Sequence, residues 1–164
     1  VVDAWGDHVA LKLILLDRDQ PRKCTALPDG EDPKPTMGPA KGGAVRIGGD
    51  GPKIGIGEGL ETCLAAWALE NYRFPVWAGL STSGVAGWEP PLFVKHVPIY
   101  PDGDAGKLTR QGDLQDPPGM VAAKALRARL VPTGIKAPIQ DMCLLGDALD
   151  LLVTRRKHEK QQPI

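Results

Sequence analysis

The sequence predicts an α/β domain whose central sheet is mostly parallel and flanked by helices, on three observations. Short apolar runs alternate with stretches of helical periodicity from residue 53 onward. The first of these runs ends in Gly57-Glu58-Gly59 and passes straight into an apolar helical pattern. A second run, at 97–100, is followed by Asp102-Gly103-Asp104. In an open α/β sheet the carboxyl ends of the strands face the crevice that binds ligands, so this arrangement delivers acidic side chains to one place. In extended geometry Asp102 and Asp104 point to the same face with α-carbons roughly 6.5 Å apart, close enough to share a cation.

Taken in order, residues 8–16 (HVALKLILL) alternate imperfectly and read as a strand, followed by a turn-rich stretch at 17–21. Residues 28–43 hold four prolines and four glycines, a composition that excludes helix and central strand. GGAVRIG at 42–48 reads as a short strand pairing with the first, so residues 1–52 form an N-terminal β-ribbon and loop extension ahead of a main domain at 53–154. In that domain Ile54 and Ile56 alternate in a strand, and Leu60, Leu64, Trp67 and Ala68 recur at helical spacing, which predicts a helix over 60–71 burying that face. PVWAGL at 75–80 is the next strand and runs into Ser81-Thr82-Ser83-Gly84; after a loop, 96–100 is the third. MVAAKALRARLV at 120–131 is amphipathic, with Ala123, Leu126 and Leu130 inward and Lys124, Arg127 and Arg129 toward solvent. A weaker strand at 135–142, a last short helix at 146–153 and a polar tail at 155–164 complete the chain. Such alternation implies right-handed crossovers between parallel strands.

Composition narrows the function. A chain of 164 residues is one domain, or one domain with an extra lobe. Its 20 basic residues balance 20 acidic ones, so it lacks the basic excess of a self-sufficient nucleic-acid clamp, and any polyanion must be held locally or by other parts. Cys24, Cys63 and Cys143 are odd in number and far apart, which argues against a disulfide framework and a zinc site and for reduced thiols in the cytoplasm. No apolar run approaches the roughly 18 residues of a membrane span. His8, His96 and His158 form no cluster, and Trp67, Trp77 and Trp88 read as packing residues rather than base-stacking platforms. The start at Val1 reads as a cut from something longer.

The order GGAVRIG, GEGLETCLAA, PVWAGLSTSG and then the aspartate pair with Ala105-Gly106 resembles the Toprim domains of phage- and plasmid-type primases and primase-helicases over about residues 37–153. The resemblance implies a Toprim-type, Rossmann-like fold in which Glu58, Asp102 and Asp104 bind Mg²⁺ or Mn²⁺ for nucleotidyl transfer or phosphodiester cleavage. It leaves open whether Glu58 is a ligand or a general acid or base. Hard carboxylate oxygens suit Mg²⁺, which keeps several waters and needs few protein ligands beside a substrate phosphate. Single-stranded DNA, nucleoside triphosphates and further zinc-binding or helicase domains are the partners so implied. The departure from the family pattern is a polar, proline-bearing insert at 107–119, read as mobile, between the aspartates and the next helix.

Other residues carry two readings each. Glu61 is either a carboxylate supporting the metal site or a helix N-terminal charge favoured by the macrodipole. Asp147 and Asp150, in GDALDLL, resemble a late acidic element of the family, or Asp147 caps a helix. Ser81 and Ser83 suit phosphate contact or an ordinary turn. Lys41, Arg46 and Lys107 are candidate nucleic-acid contacts or plain surface cations. Three functions follow: a primase domain, a Toprim nuclease using the same carboxylates, or a non-catalytic nucleic-acid or partner-binding module. The topoisomerase reading is weaker, because Tyr72 and Tyr100 fall in expected core elements.

Overall fold

The computed structural model describes residues 1–20, 22–24, 27, 30–102, 107–108, 114–140, 148 and 151–155. Their elements are β1 (Leu11–Lys12), β2 (Thr36–Met37), β3 (Gly55–Gly57), α1 (Leu60–Leu69), β4 (Val76–Ala78), α2 (Thr82–Gly87), β5 (Ile99–Tyr100), β6 (Lys107–Leu108), β7 (Leu114–Gln115) and α3 (Pro118–Leu130), which ends in a single 3₁₀ turn. Residues 148 and 151–155 are helical.

The centre is a parallel sheet in the order β4-β3-β5. Parallel bridges from His96 to Lys136 and from Ile99 to Ile139 add a further parallel segment beside β5. On the other side Val45 pairs antiparallel with Ala78. Strand periodicity then sorts the core into two layers. Ile54, Ile56, Trp77 and Ile99 pack with Val85 of α2 and with Ala122, Ala123, Leu126 and Leu130 of α3. Val76, Ala78 and Tyr100 face the opposite way and pack with Cys63, Ala65 and Ala66 of α1 and with Ala148 and Leu152. The result is helix, sheet, helix, as the alternating pattern predicts.

Four expectations change. The face of α1 turned to the sheet is Thr62, Cys63, Ala65 and Ala66, whereas Leu64 is 49% exposed. The cause lies in β3: a Cβ on Gly57 would stand 2.9 Å from the Cys63 Sγ and 3.2 Å from the Tyr100 carbonyl oxygen, so the helix lies too close for leucine. The segment after β4 is not all loop, because 82–87 close into α2 with the Ser81 hydroxyl accepting from the Gly84 amide at 2.9 Å. The 42–48 segment pairs with Val2 and with β4, while the first strand pairs with β2 inside the proline-rich stretch. It extends the main sheet as an edge. Finally, the ends of the 107–119 insert pair as β6 and β7, in register Lys107 to Gln115 and Leu108 to Leu114.

Among the described residues no helix is long and apolar enough to cross a membrane. Cys24 and Cys63 are free thiols.

Candidate active site

Parallel pairing fixes the two candidate carboxylates relative to one another. Gly57 is level with Tyr100, so Glu58 leaves β3 one residue past that rung and Asp102 leaves β5 two residues past it. Both are half-buried and line one cavity of about 180 Å³ at the carboxyl ends of the strands. The Asp102 backbone is seated by α3: a Cβ on Gly119 would come within 3.0 Å of the Asp102 nitrogen and 3.1 Å of its carbonyl oxygen. Any side chain at 119 pushes that segment away.

Leu80 closes another side of the cavity. Its φ of +70° is in the left-handed region that leucine avoids, at a cost of about 1–3 kcal/mol. The strain is sustained by a hydrogen bond from the Leu80 amide to the Glu58 carbonyl, 3.0 Å, and by one from Gly79 to the Gly57 carbonyl, 2.9 Å. The backbone that carries Glu58 is thus locked to the end of β4.

The remaining wall comes from the N-terminal ribbon. Lys12 and Ile14 line the cavity while Leu11, Leu13 and Leu15 point outward, the two-residue alternation of an extended chain. Lys23 and Lys34 join them. The Lys23 ammonium pairs with Glu61 in the first turn of α1 at 2.6 Å, both side chains about 40% exposed. The Lys12 ammonium donates to the Lys34 carbonyl and, at 3.2 Å, to the Thr36 hydroxyl.

Burial alone would raise the Glu61 carboxyl, but the hydrogen bond from Lys23, a backbone amide and the charges of Lys23 and Lys34 together hold it below the ordinary 4.5. A carboxyl depressed in the folded chain stabilises above its unfolded value, and that contribution is lost as pH falls through the folded value. Glu61→Gln is therefore expected to flatten the acid side of the stability curve below about pH 4.5 by no more than about 1 kcal/mol, given the exposure of the pair. Urea unfolding of both proteins between about pH 6 and pH 3 reads this difference; identical acid limbs would remove Lys23 as the partner that matters.

Ser81, Ser83, Arg46 and Lys41 lie away from this cavity. Ser81 caps α2 and its hydroxyl lies 3.0 Å from that of Ser83, which lines a separate groove between α2 and the start of α3. Arg46 is engaged in packing: its guanidinium donates to Asp50 at 3.0 and 3.2 Å and to the Asp3 carbonyl at 2.9 Å, and stacks 4.5 Å above Trp77. Lys41 is exposed and does not line the carboxylate cavity. The Lys107 backbone lies in β6. Asp104, Asp147 and Asp150 lie outside the described residues. Of the two tyrosines, Tyr72 is exposed rather than in the core, whereas Tyr100 is buried and donates to Glu70 at 2.9 Å. Burial, with the Glu70 hydrogen bond second, pushes the Tyr100 phenol up, away from nucleophilic use.

The sequence pattern does not single out Lys12, Lys23, Lys34 or Leu80 as site residues. For Lys12 a signal existed, since it shares a strand face with Ile14; for the rest only the tertiary fold brings them in. Among the described residues no three acidic, thiol or imidazole groups converge as a metal cluster. Of the three carboxylates that line the cavity, Glu61 is paired with Lys23, and Glu58 and Asp102 offer hard oxygen donors of the type Mg²⁺ and Mn²⁺ take, so the donor set fits such an ion.

A family model described as Toprim domain matches residues 53–157, which spans β3 through the helical residues after 148. No curated protein and no solved structure gives a match.

Proposed function

Because the chain belongs to the Toprim family, we propose that it is the metal-dependent catalytic domain of a DNA primase, joining ribonucleotides into a primer on single-stranded DNA. Toprim domains are metal-binding and nucleic-acid-associated, and they occur in primases, nucleases and topoisomerases. The observation that carries the reading is the convergence of Glu58 and Asp102, from the carboxyl ends of adjacent parallel strands, on one cavity. The primase assignment within the family is supported by the order and wording of GGAVRIG, GEGLETCLAA and PVWAGLSTSG.

Glu58 and Asp102, with Asp104 as the resemblance implies, would hold Mg²⁺ or Mn²⁺. The bound ion would offset the charge that builds on the phosphoryl oxygens during transfer. The chain's own part is positional: the Leu80-to-Glu58 hydrogen bond holds the backbone that carries one carboxylate and Gly119 seats the backbone that carries the other. Glu58 can alternatively take the proton of the attacking 3′-hydroxyl, and its single carboxylate serves only one of these roles at a time. The setting proposed is cytoplasmic, beside zinc-binding or helicase domains.

The test is incubation with a single-stranded template, nucleoside triphosphates and Mn²⁺. Labelled ribonucleotide in short products carries the primase reading. Shortened template without incorporation assigns a Toprim nuclease instead, and template binding with neither product assigns a binding module.

A further inference from the structure

We infer that Lys12, Lys23 and Lys34 make the N-terminal ribbon a phosphate-binding wall of the carboxylate cavity, a role that rests on the phosphoryl-transfer reading of that cavity. The ribbon precedes the family match at 53–157. Three features carry the inference.

The first is direction. Strand alternation turns Lys12 inward with Ile14 and leaves the leucines of the same segment outside, so the ammonium reaches the cavity through the pleat of the ribbon.

The second is donor count. An ammonium has three N–H donors. Lys12 uses donors on the Lys34 carbonyl and the Thr36 hydroxyl, which anchor it and leave one over. Lys23 is held by Glu61 at 2.6 Å. Among the described residues none accepts from the Lys34 ammonium.

The third is charge. Glu58, Glu61 and Asp102 oppose Lys12, Lys23 and Lys34 around the cavity, three against three. Carboxylates alone would repel a phosphate. With the lysines present the described side chains that line the cavity sum to zero, so a divalent cation held there meets phosphate oxygen without an excess of carboxylate charge beside it.

The shared chemistry is phosphate oxygen, from a nucleotide's polyphosphate or from a nucleic-acid backbone. The experiment measures binding of inorganic tripolyphosphate, and separately of a single-stranded oligonucleotide without terminal phosphates, to wild type, Lys34→Gln, Lys34→Arg and the triple Lys12→Gln/Lys23→Gln/Lys34→Gln. Mn²⁺ titration of each is the companion measurement. Lys34→Gln should weaken one of the two phosphate ligands about tenfold, with Lys34→Arg restoring most of it, and the triple variant more than a hundredfold (about). Loss confined to tripolyphosphate identifies a nucleotide subsite; loss confined to the oligonucleotide, with a shallower salt slope, identifies a backbone contact. Both patterns support the wall. Unchanged affinity for both ligands in Lys34→Gln and in a folded triple variant would overturn it, even if Mn²⁺ still binds. Failure of wild type to bind Mn²⁺ would instead strike the phosphoryl-transfer reading, while the phosphate arms still decide the role of the lysines. Lys34→Gln protects the test against misfolding, since no described hydrogen bond depends on that ammonium.

Discussion

Asp102→Asn is expected to abolish Mn²⁺ binding at the cavity and to lower phosphoryl transfer by about 10²–10³-fold, on the order of 3–4 kcal/mol of transition-state stabilisation. The substitution keeps the shape of the side chain and removes its charge. Gly119 still accommodates the residue 102 backbone, because the close approach there involves the backbone nitrogen and carbonyl rather than the carboxylate. A folded protein with a weakened site is therefore the expected product, and its urea midpoint should match wild type within about 0.5 kcal/mol. Calorimetric titration with Mn²⁺ before and after the change reads binding, and product formation under saturating Mn²⁺ reads chemistry. Binding that survives unaltered in Asp102→Asn and in Asp102→Asn/Asp104→Asn would remove the aspartates from the metal site. A loss of transfer at undiminished Mn²⁺ affinity would give Asp102 a substrate-facing role instead. Glu61→Gln is the useful contrast, since that carboxylate is already paired with Lys23. It should shift affinity far less.

The parts of this architecture legible in the sequence are those with periodicity behind them. The inward face of α3 can be read from residue spacing because Ala123, Leu126 and Leu130 are apolar between cations. Glu58 and Asp102 can be placed because they lie one and two residues past the ends of apolar strands. Size is a poor proxy for burial here: Leu64 is larger than Cys63, yet the close approach at Gly57 suits the small Cys63 and leaves Leu64 outside. Six residues are too short for a helical period to register, so α2 leaves no periodic trace in the sequence. The ribbon's approach to the cavity is harder still. Lys23 and Lys34 sit in turn-rich and proline-rich segments where no period exists, and only the pairing of β1 with β2 and the Lys23–Glu61 contact bring them to the carboxylates. Arg46 shows the converse. As a sequence feature it is one more surface cation, whereas in the fold its charge is engaged by Asp50, the Asp3 carbonyl and Trp77.

That engagement makes Trp77 the residue whose loss should cost most in stability. It is 1% exposed in the middle of β4, opposite Ile56 across the parallel rung. Its indole nitrogen donates to the Gly49 carbonyl at 3.0 Å, its ring meets Trp88 edge to face at 5.9 Å, and the Arg46 guanidinium covers it at 4.5 Å. Trp77→Ala removes a large buried ring and leaves a cavity, for about 3–5 kcal/mol. The Gly49 carbonyl also loses its donor and Arg46 its platform, and both lie in the segment joining the ribbon to the sheet. Against a typical total of about 5–15 kcal/mol this is about a fifth of the stability or more. Trp77→Phe separates the contributions: it retains most of the packing and should lose about 1–2 kcal/mol, chiefly the indole hydrogen bond. Trp5→Ala, at 80% exposure, should stay within about 0.5 kcal/mol. Urea unfolding of the three variants ranks them, and amide exchange gives an independent check, because Val45 donates to the Ala78 carbonyl and accepts from the Ala78 amide beside Trp77. In Trp77→Ala those two amides should exchange faster, together with that of Val2, which donates to Ala44. Equal stability of Trp77→Ala and Trp5→Ala would mean that this indole does not join the ribbon to the sheet. The cavity wall built by Lys12, Lys23 and Lys34 would then depend on the Lys23–Glu61 pair for its position rather than on the edge strand.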